Sequence, residues 1–405
     1  MKTVLHIKTA VSAALVLLAA GGTVFAEGPV LSGNTETTVF AGAGAGTSPD
    51  FFYGAEEYAN LRLKIPAGEF ASVYGAFNLI AAAGSHAAAA VPGGTGNAAG
   101  GGFSSFTAGE NYAAALELER LYLQLSGDTL GLGAGLLRIP LGYSLAWGPM
   151  DFLNPGNPLV PRARLRAVLG VLGSWYPLDG MKAFGFAAAP KDPFALGGGG
   201  ARFGLGWENH WPRASLQLLA SYESPASYTS APSVPADYPL GLYRFGFSLK
   251  AEIELGFTAE AFYTLNPDSP DFLPGLSAAA GFDYSLFDGT CYVLAEYLYS
   301  GTESISAAGP ANLQGKRNNH YLYASLAWIW SDYTTVSLGA GICLDDPSAV
   351  PSLCWEHEAF QGITLSVEAR VPLDGDSFGN GNAGEFGPAA NGSRFSLNAG
   401  LRVKF

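Results

Sequence analysis

The sequence predicts an all-β fold, namely a transmembrane, antiparallel, up-and-down β-barrel of about eighteen strands, within a range of roughly 16–20. Composition is the first observation. Hydrophobic residues make up 48% and charged residues only 14% of the chain, whereas soluble proteins average about 25% charged residues. The second observation is that no apolar run beyond residues 1–26 is long enough to cross a membrane as a helix. Because every backbone polar group must be hydrogen-bonded in lipid, such a chain favours a closed barrel.

The third observation is the strict alternation of polar and apolar residues, which places successive side chains on opposite faces of a strand. The pattern is clearest in segments 58–65, 243–252, 257–265 and 363–371. Each segment is about 9–12 residues long, which is the length of a tilted membrane-spanning strand. One face of each strand is therefore expected to contact lipid and the other to line the interior.

The connections between these strands alternate between short and long, as expected of a membrane barrel with short turns on one side and longer outer loops on the other. Short turns are predicted at 66–69, 127–129, 178–180, 210–213, 252–256, 287–290, 331–332 and 360–362. Longer connections are predicted at 45–54, 85–110, 145–161, 190–200, 224–240, 266–274, 301–316, 345–351 and 373–392. A soluble β-sandwich, the alternative all-β fold, would rarely sustain this parity along the whole chain.

Residues 1–26 have the three parts of a secretory signal peptide. Lys2 and Lys8 supply the positive charge, residues 10–20 form an apolar stretch, and small residues precede a cleavage site after Ala26. A retained membrane anchor is the alternative, but the apolar stretch is too short and is followed by two glycines. The sequence therefore predicts a cleaved signal peptide at 1–26 and a single barrel domain at 27–405.

The last thirteen residues, 393–405, form a regular alternating segment whose apolar face ends on an aromatic residue. This ending resembles the C-terminal signal of outer-membrane β-barrels, which the barrel-assembly machinery reads. The resemblance assigns that signal to Phe395, Leu401, Val403 and Phe405. An amphipathic strand of a soluble sheet is the alternative for this segment taken by itself.

Connection 145–161 is the most distinctive segment of the chain. Its four prolines fix φ and remove backbone donors, so it is predicted to be rigid and unable to join the sheet. Its Trp, Met, Phe and Leu side chains would not favour water, which suggests that it folds into the lumen and narrows the pore. The alternatives are a loop that caps the rim or packs on a neighbouring protomer. Its Trp-Gly and Asn-Pro pairs are similar to a stretch of several poorly characterised outer-membrane barrels.

Three arginines follow directly. Arg162, Arg164 and Arg166 share one strand face because they are two residues apart, and a lipid-facing arginine near the membrane midplane costs about 2–4 kcal/mol. They are therefore expected to point into the lumen, where guanidinium groups could guide anions. An ordinary network within the wall is the alternative. The predicted pore-lining and constriction residues are Asp151, Arg138, Arg162, Arg164, Arg166, Glu117 and Glu119.

Other chemistry is sparse. Cys343 and Cys354 flank a connection on one face, so a symmetric hairpin would place them opposite one another and allow a disulfide, the alternative being unpaired thiols. No metal or other cofactor is expected, because the five histidines lack metal-ligand spacing. No enzyme is expected, because no Gly-x-Ser-x-Gly elbow accompanies a histidine. The net charge of −13 argues against nucleic acid as a partner.

In architecture the chain resembles the general or substrate-selective porins of diderm bacteria. The resemblance implies a multi-pass protein of the bacterial outer membrane, exported through the periplasm, that acts as a channel for passive diffusion of small hydrophilic solutes. Its implied partners are outer-membrane lipid, the barrel-assembly machinery and those solutes, and a homo-oligomer is left open. The alternative function is a structural or surface-interaction barrel, such as an adhesin or polysaccharide-binding protein, with a closed lumen.

Overall fold

The chain forms a closed, antiparallel, up-and-down β-barrel of eighteen strands in the computed structural model, as predicted. The structure describes residues 28–45, 50–85, 104–156, 158–159, 167–190, 200–225, 241–267, 272–301, 319–346, 348–375, 384–388 and 392–405. The predicted signal peptide at 1–26 lies outside the described residues.

The strands follow one another around the barrel in chain order. Their bounds are β1 (Val30–Gly44), β2 (Phe51–Pro66), β3 (Ala71–Gly84), β4 (Ser104–Ala108), β5 (Tyr112–Ser126), β6 (Leu130–Leu137), β7 (Val168–Trp175), β8 (Met181–Ala188), β9 (Arg202–Trp211), β10 (Ala214–Glu223), β11 (Leu242–Glu252), β12 (Gly256–Leu265), β13 (Leu276–Leu286), β14 (Cys291–Ser300), β15 (His320–Ser331), β16 (Thr334–Cys343), β17 (Ser348–Phe360), β18 (Ile363–Arg370) and β19 (Ser393–Lys404). The barrel closes because β1 pairs with both β2 and the C-terminal strand β19.

Strand β4 is additional to the eighteen strands of the wall and was not predicted. It lies within the predicted connection 85–110 and pairs with the outer half of β5, where Ser104 is opposite Glu117. That edge of β5 is available because β6 pairs with β5 only as far as Leu136, opposite Leu121. The short strand therefore satisfies backbone groups of β5 that β6 leaves unpaired.

The connection between β6 and β7 is longer than predicted. The wall ends at Leu137 and resumes at Val168, so residues 138–144 belong to the connection rather than to a strand. The predicted connections 127–129 and 145–161 place Arg138 on the strand between them, but it lies one residue beyond the end of that strand. Gly135 has a φ of 131° and pairs with Tyr122, one residue before the pairing of β6 with β5 ends at Leu136. A backbone conformation that mainly glycine adopts therefore occurs close to the residue at which the chain leaves the wall.

The two faces of the wall differ in chemistry, as the alternation predicted. One face carries large apolar side chains with no cover from the barrel, such as Leu205, which is 72% exposed. The other face carries polar residues, many of them buried, including Asn60, Glu260 and Glu296. We call the apolar face the outer face and the polar face the inner face.

Helix is almost absent. The described ranges contain the four-residue helix α1 (Phe272–Gly275), and within those ranges no helix has the length and apolar character of a membrane span.

Candidate functional site: the 138–159 segment and the inner face

The residues between β6 and β7 lie against the inner face of distant strands, and we call described residues 138–156 and 158–159 the 138–159 segment. Its principal anchor is Glu296 on β14. The backbone N–H groups of Leu145, Ala146 and Trp147 donate to this carboxylate at 2.8, 3.2 and 2.7 Å. The hydroxyl of Ser144 donates to it as well. One buried carboxylate thus satisfies four donors of a segment that has no strand partner.

Glu260 on β12 is a second anchor of the same kind. It accepts the backbone N–H groups of Tyr143 at 2.5 Å and Ser144 at 2.7 Å, with Met150 more distant at 3.4 Å. The hydroxyl of Ser248 on β11 donates to the same carboxylate at 2.9 Å. The prolines remove donors from the segment, and the two glutamates bond many of the donors that remain.

Gly142 allows the segment to approach the wall this closely. Its φ of 82° lies in the left-handed region, and a Cβ added there would overlap the Glu260 carboxylate. Its N–H donates to Gln217 on β10 at 2.5 Å. Both the backbone conformation and the contact therefore require glycine at this position.

The apolar side chains of the segment are covered by apolar residues of the inner face. Met150 and Leu153 are buried together with Phe184 and Phe186 of β8. The ring of Phe152 stacks on Phe262 of β12 with 5.4 Å between centroids. This packing explains why a connection rich in large apolar residues can leave the wall, since the burial stabilises it.

Trp147 belongs to a second cluster. Its ring lies 6.1 Å from that of Tyr321 and 6.4 Å from that of Tyr323, both on β15. The ring of Phe386 lies 5.7 Å from that of Tyr321. The described part of the predicted connection 373–392 therefore reaches the same cluster as the 138–159 segment.

Asp151 and Asn154 form hydrogen bonds that link the beginning of the segment to its later part. Its carboxylate accepts the N–H of Asn154 at 3.0 Å, and the side chain of Asn154 accepts the N–H of Ile139 at 2.9 Å. The pKa of Asp151 is raised to about 7, mainly by burial and in smaller part by the nearby Glu260 charge, against the opposing effects of the Asn154 N–H and Arg138. Asp151 is thus a half-buried group bonded within the segment.

The structure brings Arg138, Glu119 and Glu117 into one polar network on β2, β3, β5 and the start of the segment. Arg138 donates to Glu119 at 2.8 Å, and Asn60 donates to the same carboxylate at 2.8 Å. Glu117 accepts from Asn78 at 2.8 Å. These contacts form a network of side chains within the wall. Arg162, Arg164 and Arg166 lie outside the described residues.

A β-bulge shapes this network. Ala76 pairs with Arg120 but the next residue, Phe77, pairs with Leu118, so Glu119 is an extra residue in β5. The bulge interrupts the alternation and lets Glu119 and Arg120 approach each other at 3.4 Å. Simple alternation would have put them on opposite faces.

The predicted disulfide between Cys343 and Cys354 is wrong. None of the chain's three cysteines, all of which are described, forms a disulfide. Strand β17 already begins at Ser348, so Cys343 lies opposite Ser348 and Cys354 lies opposite Ser337. The two cysteines are therefore about 20 Å apart along the hairpin, well beyond the roughly 7 Å limit on Cα separation.

Among the residues that the structure describes, one group of side chains has donor atoms close enough to hold a metal ion. Atoms of Cys343, Asp346 and Glu385 lie within 4.8 Å of one another. Tyr321 donates to Glu385 at 2.9 Å, and the N–H of Glu385 donates to Asp346 at 2.9 Å. These bonds link Glu385 to Tyr321 and to Asp346.

The anchors Glu260 and Glu296 were not singled out from the sequence. Each appeared as an ordinary inner-face polar residue of an alternating strand. A usable signal exists at Glu296, where the residues two positions away on the same face are Leu294 and Leu298. An acidic residue between two leucines of an inner face indicates a partner that the strand itself does not supply.

The architecture defines a class of protein with known representatives, since the solved structures similar to it are outer-membrane porins. OccAB3 of Acinetobacter baumannii has 9% identity and a TM-score of 0.52, covering 93% of this chain and 99% of that one. OpdK of Pseudomonas aeruginosa, solved with vanillate, has 9% identity and a TM-score of 0.56, covering 94% and 99%. OccK8 of the same organism has 8% identity and a TM-score of 0.52, covering 93% and 98%. At these identities the likeness shows the fold.

No family model matches the chain. No curated protein matches it either.

Proposed function

We propose that this protein is an outer-membrane porin through which small hydrophilic solutes diffuse passively, with the 138–159 segment narrowing the pore. One observation carries the proposal. Arg138 bonds Glu119 on β5, whereas Trp147 bonds Glu296 on β14. These strands are nine steps apart in a barrel of eighteen, so the segment reaches diametrically opposed parts of the inner face.

The remaining passage would run between the segment and the inner face of β17–β19 and β1–β3. That part of the wall carries paired charges. Arg402 lies 3.2 Å from Glu36, and Arg370 lies 2.9 Å from Glu368. Charged inner walls set the selectivity of such pores, and paired charges keep the passage wet without a strong preference for one sign.

Selectivity would then be decided at the narrowing, where we propose a weak preference for anions. Arg138, Arg162, Arg164 and Arg166 supply positive charge there, against Asp151, Glu117 and Glu119. Field lines concentrate at a constriction, so local charge outweighs the overall acidity of the chain. A reversal potential that favours cations and does not change in Arg164→Ala would contradict this preference.

The outer face supports a membrane location. Its apolar residues form the wall surface of a closed barrel, which has no unpaired edge to expose to lipid. We propose that the signal peptide at 1–26 directs export to the periplasm and is removed, leaving one barrel domain at 27–405. We also propose that the barrel-assembly machinery reads β19 through Phe395, Leu401, Val403 and Phe405.

The decisive experiment is single-channel recording of refolded residues 27–405 in a planar bilayer under a salt gradient. Stable open steps are expected, and the sign of the reversal potential tests the anion preference. Vanillate is a suitable first organic anion to add, because OpdK shares the fold and was solved with it. A folded, heat-modifiable barrel without conductance would contradict a porin and favour a closed barrel that acts through its outer loops.

A further inference from the structure

The β16–β17 hairpin carries a thiol and a carboxylate at its tip, and a carboxylate of the connection after β18 lies beside both. Cys343 ends β16, Asp346 lies in the turn that follows, and Glu385 lies in the described residues 384–388. Cys343 and Glu385 are only 2% and 8% exposed. Three possible metal ligands thus converge, although Glu385 is 39 residues beyond Asp346.

The pairing of three strands positions these groups. Cys343 lies opposite Tyr321 of β15 on one side and opposite Ser348 of β17 on the other. Residues directly opposite one another in antiparallel strands share a face, so the phenol, the thiol and the hydroxyl point the same way. Tyr321 donates to Glu385 at 2.9 Å, and Ser348 donates to Asp346. The two neighbours of Cys343 therefore orient the two carboxylates beside it.

The connection that supplies Glu385 lies directly on the hairpin. The N–H of Glu385 donates to Asp346 at 2.9 Å, and the N–H of Phe386 donates to Ser348 at 3.1 Å. A Cβ added at Gly384 would overlap Ser348, so glycine permits this close approach. The backbone of the connection thus holds Glu385 at the hairpin through bonds of its own.

The sulfur of Cys343 is arranged as a ligand. The backbone N–H groups of Asp345 and Asp346 donate to it. It forms no disulfide, and no group in the described part of the chain accepts its S–H. Hydrogen bonds to sulfur favour the thiolate, whereas two adjacent carboxylates repel a thiolate. A cation between the three groups removes this repulsion, because thiolates bind metal ions directly.

One sulfur and two carboxylates select among the possible cations. Ca²⁺ and Mg²⁺ take oxygen ligands, whereas Zn²⁺ accepts thiolate and carboxylate together at about 2.0–2.3 Å. Ligating carboxylates are normally held by further hydrogen bonds, as those of Asp346 and Glu385 are here.

We propose that Cys343, Asp346 and Glu385 bind one Zn²⁺ ion at the tip of the β16–β17 hairpin. Binding releases the thiol proton to solvent, because the ligand is the thiolate. Asp346 is only partly buried and gives solvent access to the site. The ion would join the connection after β18 to the wall beside the Tyr321–Trp147 contact. The inference does not depend on an open pore.

The test is metal binding by refolded residues 27–405 in detergent, with Co²⁺ as the optical probe and Zn²⁺ as the competitor. The wild type is expected to bind one Co²⁺ per chain with a sulfur-to-cobalt charge-transfer band, which Zn²⁺ abolishes. Cys343→Ser should lose the band and weaken Zn²⁺ binding by about a hundredfold, because loss of even a residue that supports a ligand costs about 10–100-fold. Cys354→Ser makes the same change about 20 Å away along the hairpin and should leave both unchanged.

Glu385→Gln provides a second readout, because it keeps the sulfur. It should retain the band and weaken Zn²⁺ binding by about tenfold or more, whereas Glu358→Gln, near the far end of β17, should change neither. Heat-modifiable migration of each variant establishes that it is folded.

Three results would overturn the inference: a wild type without the band, a band that survives Cys343→Ser, or unchanged Zn²⁺ binding in Glu385→Gln. Equal losses in Cys343→Ser and Cys354→Ser would also overturn it. A chain that conducts but binds no Zn²⁺ would refute the metal site and leave the proposed channel intact.

Discussion

Inner-face carboxylates on opposite sides of this barrel meet different partners. On β5, Glu119 accepts from the charged guanidinium of Arg138 and from the amide of Asn60. On β14, Glu296 accepts from three backbone N–H groups and a hydroxyl of the 138–159 segment. The first side is a network of side chains that can exchange partners. On the second side, the Glu296 carboxylate fixes the backbone path of the 138–159 segment. Its loss should therefore have the larger effect on stability and on the single-channel current.

The strongest test of this comparison is Glu296→Ala. It removes the acceptor of four donors, and buried donors without partners cost about 1–3 kcal/mol each. We expect the free energy of unfolding to fall by about 3 kcal/mol and the single-channel current to become larger and noisier. Glu368→Ala, which removes one ion pair with Arg370 on another part of the inner face, should change both much less. Equal effects of the two changes would mean that the segment is not held by Glu296.

Gly142→Ala tests the close approach at Glu260. The left-handed conformation costs a non-glycine residue about 1–2 kcal/mol, and the added Cβ would also displace the carboxylate. Gly68→Ala is the matched control, because Gly68 has a φ of 85° but no atom within 4 Å of an added Cβ. Urea unfolding should show a larger loss for Gly142→Ala than for Gly68→Ala. Identical losses of stability in the two variants would mean that glycine is needed at position 142 only for its backbone conformation.

The pH dependence of the segment is a further test of how it is held. With a folded pKa of about 7, raised from 3.8, Asp151 binds more protons in the folded than in the unfolded protein between these values. Its contribution to stability is therefore fully present at low pH and is lost as pH rises toward 7. As the pH is raised, we expect fluctuations of the single-channel current to increase, and the midpoint of this increase should lie near the pKa of Asp151. Asp151→Asn should abolish the midpoint, and a midpoint that persists would assign the titration to another group.

The smallest effect on stability is expected in the side-chain network around Glu119. Arg138→Gln removes one partly exposed ion pair with Glu119, and such pairs contribute about 0–1 kcal/mol. Stability should barely change, whereas the reversal potential should move toward cations. Lys250→Gln, which removes a positive charge paired with Glu252 at 2.5 Å beside a short turn, should not move it. A reversal potential that is unchanged in Arg138→Gln would place Arg138 away from the ion path.

The sequence by itself determined the barrel. The alternation in segments such as 243–252 and 363–371 indicated which residues lie on which face, and the parity of the connections predicted about eighteen strands. Both signals are local, because a strand repeats every two residues whatever it pairs with. The prediction that residues 393–405 form a strand is confirmed by β19, Ser393–Lys404.

Tertiary structure alone decided the remaining features. Glu296 and Trp147 are 149 residues apart in sequence, and no local period reports which carboxylate will bond which backbone. The bulge at Glu119 and the early start of β17 at Ser348 each shift register by an amount that alternation does not encode. Those shifts brought Glu119 to Arg120 and carried Cys343 away from Cys354. Pairing, unlike alternation, depends on contacts between strands and on the turns that join them.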